Sequence, residues 1–286
     1  MKEFLLQVLK SRTTREAWEW FEEATQATAP PANRDRVLAY YTGASRRLGK
    51  MALLLDESEK ARLSTLRPLL TLNHWGADEA GRAILLLSLT YLPPDEYASL
   101  VLECYEQGDS REQQSWLRAL SLLPGCERFL ETAIDACRTN IRELFESIAC
   151  ENPYPVLYFP DLNLNQLVLK SLFNGIALSR IVGLESRFNN DLSRMANDYV
   201  SEREAAHRDV PPDIWFVVAP KIEREGLLRV RRYLQHDNQD HRYWAAVGLG
   251  LSRDPANRGP LSEVRNSERD PRVRQAIDAS LERLGH

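Results

Sequence analysis

"DHRYWAAVGLGL", residues 240–251, and "DPRVRQAIDASL", residues 270–281, overlay when the chain is shifted by thirty residues. Asp240 meets Asp270, Arg242 meets Arg272 and Ala246 meets Ala276, while Val247 meets Ile277 and Leu251 meets Leu281. Apolar residues recur at helical spacing in both copies, with small residues at the packing positions. A helical repeat of this length cannot bury its apolar face alone and must stack on a neighbour. Two copies are too few for a free array, so they should dock on the helices before them.

Working outward, the same periodicity runs through nearly the whole chain. Thr13 and Glu16 have the spacing of a capping box ahead of Ala17, Trp18 and Phe21. The tandem prolines of "TAPPAN" end that helix. Val37, Tyr40, Tyr41, Ala44 and Leu48 mark the next face, and Asp56 with Glu59 cap another helix. Residues 77–89 read as a helix that is apolar nearly all round in its second half, hence central. Residues 95–107 and 110–122 form a helical hairpin with Gly108 as the stop. Helices resume at 126–137, 141–149, 164–174 and 191–208, and "VPPDIWFVVAP" is a short helix entered through proline. No segment alternates in the manner of a strand. The expected fold is all-α: stacked helical hairpins, α-solenoid-like, ending in repeats that resemble HEAT-like pairs. Residues 1–220 form one helical domain, with residues 221–286 packed on it.

At 286 residues, with 43% apolar and 27% charged, the chain has the balance of a globular protein. Its net charge of -4 supplies no field that would gather nucleic acid. Arg229, Arg231 and Arg232 are diluted by neighbouring acids, whereas phosphate binding needs a concentrated basic stripe. No nucleic-acid partner is expected. Cys104, Cys126, Cys137 and Cys150 have neither metal-site nor redox spacing and read as buried thiols in a reducing compartment. The N-terminus is broken by charge too early for a signal peptide, and "AILLLSLTYL" is too short for a bilayer. A cytoplasmic protein is expected.

The densest cluster of unusual residues is "ENPYPVLYFPDLNLNQLVLK", residues 151–170. Three prolines bias the residues before them away from helix, so 151–161 should be an extended, ordered crossing. Its aromatics, Tyr154, Tyr158 and Phe159, must pack on something. Gln166 and Lys170 lie one turn apart on the following helix and could bind an anion or pair with a carboxylate. Upstream, Asn140 has capping-box spacing to Glu143, and Arg138 could meet a helix end or enter a cavity. Downstream, Arg194, Asp198 and Glu202 share a helix face. Two carboxylates one turn apart can hold a divalent ion or move a proton, and an Arg–Asp ladder has the same spacing. There is no phosphate loop, GxSxG, HExxH or CxxC, so neither cofactor nor resident metal is expected.

"RTN" at 138, "ENPYPVLYF" at 151, "NQLVLK" with "LFNG", "IVGLESRFN", "NDYVSEREAAHR" and "PPDIW" occur in that order. This series resembles the EboA family of bacterial proteins, as do "RRLGKMALLL" and "DEAGRAILLLSL" upstream, over residues 46–220. The resemblance implies a pathway rather than a mechanism. EboA-like proteins are encoded with a prenyltransferase-like membrane protein and with proteins resembling metal-dependent enzymes, in a system for secondary metabolism that delivers metabolite precursors to the periplasm. It implies an adaptor or carrier for a small apolar or aromatic precursor, partnered by other Ebo-system proteins and placed at the inner membrane through one of them. The alternative is an enzyme acting on an anionic or prenylated precursor through Arg138, Lys170, Asp198 and Glu202. Candidate binding residues are Arg138, Asn140, Asn152, Tyr154, Tyr158, Asn165, Gln166, Lys170, Arg187, Asp198, Tyr199, Glu202 and Arg203. The family commonly has His before that Glu and Trp after that Arg, where this chain has Ser201 and Glu204. It also lacks the aromatic that relatives often place before Asn165. The first departure argues against chemistry at Glu202.

Overall fold

The computed structural model describes residues 1–31 and 33–285. Among these residues the chain is all-helical, with no strand and one isolated antiparallel bridge, Ala52 to Gly76. It divides into two compact units, Met1–Phe159 and the residues from Pro160 onward. Position 220, the expected boundary, lies inside the second unit.

The first unit contains α1 (Lys2–Arg12), α2 (Arg15–Ala27), α3 (Arg34–Leu48), α4 (Glu57–Leu66) and α5 (Ala77–Ser88). It continues with α6 (Pro94–Glu106), α7 (Ser110–Ala119), α8 (Leu130–Ala136), α9 (Arg142–Ala149) and α10 (Tyr154–Tyr158). Helix α5 is central, as its composition requires: every residue from Ala77 to Leu86 is buried, and α1, α2, α3 and α7 pack around it. Ile84, Leu85 and Leu86 are wholly inaccessible, and each contributes about 1.5–3 kcal/mol of burial. The expected hairpin is α6 and α7, continued by a 3-10 turn to Leu122. Asp56 and Glu59 close the expected capping box on α4.

Three local expectations are corrected. The cap of α2 is Thr14, whose side chain accepts from the Ala17 amide, and not Thr13. Asn140 does not cap α9; the helix starts after Ile141, and the Thr139 hydroxyl accepts the Ile141 amide. The segment at 151–161 is not extended, because Tyr154–Tyr158 forms a short helix. Pro155 sits in its first turn, where a missing N–H costs nothing. The Asn152 side chain accepts the Tyr154 amide and so nucleates that turn.

The second unit contains α11 (Asp161–Phe173), α12 (Asn190–Ala205), α13 (Trp215–Val218), α14 (Arg224–Tyr233), α15 (Gln239–Leu251), α16 (Arg258–Ser267) and α17 (Pro271–Arg283). Four-residue α13 is buried on all sides and packs against α12, α14 and α15. The thirty-residue repeat is realised as α15 and α17, which pack on each other. Its matched polar residues interlock: Arg272 of the second copy pairs with Asp240 of the first at 2.8 Å. Arg242 grips buried Glu268, just ahead of α17, with two hydrogen bonds of 2.8 and 3.1 Å. The Ser280 hydroxyl donates to the Ala246 carbonyl at 2.9 Å. Such close approach requires Gly250, where an added Cβ would lie 2.5 Å from the Ser280 Cβ.

Candidate functional site

The thirteen candidate residues fall in both compact units, five in the first and eight in the second. In the first unit Arg138 is exposed and paired with Asp135 at 2.8 Å, three residues back on the same helical turn. Asn140 is also exposed. Asn152 and Tyr154 are buried with their polar atoms committed to backbone. The Asn152 amide donates to the Leu117 and Ser147 carbonyls at 2.9 Å each, and the Tyr154 hydroxyl donates to the Cys126 carbonyl at 2.7 Å. Both therefore work as structural pins for α10. Tyr158 stacks at a tilt 4.8 Å from Tyr154. A hydrogen bond with Cys126, reinforced by burial, pushes the Tyr158 phenol up to about 12.

In the second unit Asn165 and Asn189 exchange reciprocal amide hydrogen bonds of 3.1 Å, and Asn189 also caps α12 through the Leu192 amide. Arg187 pairs with Asp161 at 2.7 Å. Gln166 is exposed, and Lys170 is half-buried in the last turn of α11. On α12, Asp191, Arg194 and Asp198 form a solvent-facing ladder with both pairs at 3.3 Å. Asp198 is thus an ordinary surface carboxylate with a cation beside it, and a catalytic reading loses its proposed base. Glu202 is exposed. Arg203 donates twice to the Asp209 carbonyl and lies 5.8 Å over the Tyr199 ring. Two of the three arginines that raised nucleic acid are internal ties, Arg229 donating to Asn197 and Ser201 and Arg231 to buried Asn257, while Arg232 is exposed.

The sequence reading missed the most elaborate polar cluster of the first unit. Asp78, Glu79 and Arg82 are fully buried on α5. Arg82 donates to Asp78 at 3.1 Å, to Ser45 and Ser115 at 3.0 Å each, and to the Tyr41 carbonyl at 2.9 Å. Arg111 straddles Asp78 and Glu79 at 2.8–3.0 Å, and Arg118 reaches the other Glu79 oxygen. Burial works to raise the Asp78 carboxyl, but hydrogen bonds from Arg111 and Ser45 outweigh it and hold the carboxyl low. With every charge paired, the cluster ties α3, α5 and α7 together. Its signal was "DEAGR" opening an otherwise apolar helix, a place where charges survive only when paired. Among the described residues no group of three or more His, Cys, Asp or Glu side chains could hold a metal ion.

The second unit also contains a groove of about 810 Å³. One wall is the connector between two 3-10 turns, Leu178–Arg180 and Leu184–Arg187, contributing Ile181 and Leu184. Gly183 turns that connector at φ +77, a left-handed conformation suited to glycine. The half-buried Asp213 carboxylate accepts the Leu178 amide at 2.7 Å and pins the connector beside α13. The opposite wall is α15 and α17. Phe216 and Trp244 meet edge to face at 5.5 Å, Tyr243 stands 5.0 Å from Trp244, and Val247 lies one turn on. None of the thirteen candidate residues lines this groove.

The volume is that of a small-molecule site, and apolar walls with a few polar groups are the usual form of one. An all-helical protein with a ligand-sized aromatic recess is the class that the coordinates define. The chain belongs to the EboA family, whose model, Metabolite traffic protein EboA, matches residues 1–219. No curated protein and no solved structure gives a significant match. Among the described residues no helix is long and apolar enough to cross a membrane.

Proposed function

We propose that this chain is a non-catalytic carrier in metabolite traffic, holding an apolar or aromatic metabolite in the groove of its second unit. The observation that carries the reading is the meeting of Phe216, Tyr243 and Trp244 with Ile181 and Leu184 around about 810 Å³. Aromatic walls give a flat apolar ligand stacking and edge contacts worth about 0.5–1.5 kcal/mol each beyond area burial. The family's description supplies the context of metabolite movement. In that context the loaded protein passes its cargo to another member of the same system, with a prenyltransferase-like membrane protein as the proposed recipient. That exchange would bring the carrier to the inner membrane without a spanning helix of its own.

The test is direct binding. Trp244 lies in the wall, so an aromatic ligand entering the groove should quench its fluorescence and raise the melting temperature. Trp244→Ala should weaken binding at least about tenfold, the loss of one aromatic contact and its buried area. Failure of every aromatic or apolar probe to bind, across a panel and at millimolar concentration, would refute the carrier reading.

A further inference from the structure

The groove is not uniformly apolar, and its charges are arranged along one helix. Arg272, Gln275, Ala276, Ala279, Ser280 and Arg283 share the face of α17 that borders it. The spacing places small residues in the middle and an arginine at each end, eleven positions apart, or about 16 Å along the axis. The two arginines are in different states. Arg272 is neutralised by Asp240 at 2.8 Å, and its guanidinium lies 4.1 Å over the Tyr243 ring. It therefore serves as a flat wall. Arg283 has no hydrogen bond or ion pair among the described residues and stands exposed at the other end. Among the described residues the groove is lined by one carboxylate, Glu185, which sits on the opposite wall and likewise has no ion pair with another described residue.

Resting on the carrier reading above, we infer that the cargo is an amphipathic anion, whose apolar body lies along the small-residue face of α17 and whose carboxylate or phosphate head is received by Arg283. A guanidinium offers forked donors that match either head group. The body extends from that head toward Tyr243 and Trp244, over Ala279 and Ala276, where larger side chains would fill the space. Glu185 opposes anion entry and sets a limit on head-group charge, favouring a single anionic group over a polyanion. Every residue of α17 lies beyond residues 1–219, the part that matches the family. Recognition of the head is thus supplied by the C-terminal repeat, and Ile181, Leu184 and Phe216 supply the apolar wall from within the matched part.

Two fluorescent probes with the same apolar body separate this inference from the carrier reading: 1-pyrenebutyrate and 1-pyrenebutanol, titrated against the full chain with energy transfer from tryptophan as the readout. The acid should bind about tenfold more tightly than the alcohol, the gain expected of one charge-assisted hydrogen-bonded pair. Arg283→Gln should abolish that preference and leave the alcohol's affinity unchanged. Glu185→Gln should increase the preference. A pyrene phosphate monoester run in parallel distinguishes the two head groups. Equal binding of acid and alcohol to the wild-type chain, or a preference that survives Arg283→Gln, overturns the anionic-head inference alone. Binding of neither probe overturns the carrier reading with it. Because Arg283 is exposed and has no partner among the described residues, its replacement should leave the fold intact, which an unchanged melting temperature would verify.

Discussion

Arg82 uses all three of its guanidinium nitrogens in four hydrogen bonds, and it sits where a charge would otherwise be intolerable. Removing one partner of a buried, hydrogen-bonded charge cluster typically costs about 3–5 kcal/mol, because the charge left behind has no solvent. Arg82→Ala should therefore destabilise the first unit by about that amount in a chemical denaturation experiment. A cost below about 1 kcal/mol would show that Arg111 alone suffices for Asp78. His241 makes a pH prediction. Its Nδ1 accepts the Trp215 indole N–H at 2.9 Å, and burial, with His236 nearby, lowers its pKa to about 4 against the weaker opposing pull of Asp240 and Asp209. The native state thus favours neutral imidazole. The unfolded chain binds the proton first, near the ordinary 6.5, so this stability is complete above that value and is lost as pH falls toward 4. Thermal melts at successive pH values should show the decline, and His241→Asn should flatten it over that window.

Helices and their contacts set the next scale. The contacts of α15 depend on absent side chains: an added Cβ at Gly250 would meet Ser280 of α17, and one at Gly248 would come within 2.2 Å of the Trp215 carbonyl of α13. Backbone cannot yield as a side chain can. Gly248→Ala should cost about 1–3 kcal/mol by overpacking, and Gly250→Ala a similar amount with loss of the Ser280 to Ala246 bond. Denaturant midpoints for the two variants check this, and wild-type midpoints would indicate a looser helix pair. Helix α10 has the opposite dependence, on one polar side chain. Asn152→Ala would strip a donor from the Leu117 and Ser147 carbonyls, leaving Leu117 only the Leu120 amide, and release the Tyr154 amide, a loss of about 1–3 kcal/mol measured the same way. These elements also show what periodicity can and cannot read. Helix α5 and the α6–α7 hairpin were legible because their apolar spacing is long and regular. Helix α10 was not, since a proline in a first turn and a proline in an extended crossing look alike until the preceding Asn is seen to bond forward.

For the whole molecule, net charge decides a further expectation. With -4 overall, and with Arg229 and Arg231 committed to internal hydrogen bonds, the chain should give no shift of duplex DNA at low ionic strength. A salt-dependent shift would mean that those arginines can be released. The repeat seen at thirty-residue spacing became an interlocked pair, because matched Asp and Arg residues in successive copies reach each other when the helices stack. The candidate site was legible mainly as a family pattern. Asn152, Tyr154, Asn165 and Asn189 belong to that pattern, and the geometry explains them by packing and capping, while Arg138 and Asp198 point to water.

Helical class, the position of α5 at the core and the C-terminal repeat were determined by the sequence alone, since apolar periodicity states which face each helix must bury. Which faces meet was decided only by the tertiary structure. The groove is assembled from a connector near residue 180, one aromatic at 216 and two helices after 238. No local pattern can encode an empty space, because its walls are distant in sequence and are brought together by what the rest of the chain buries.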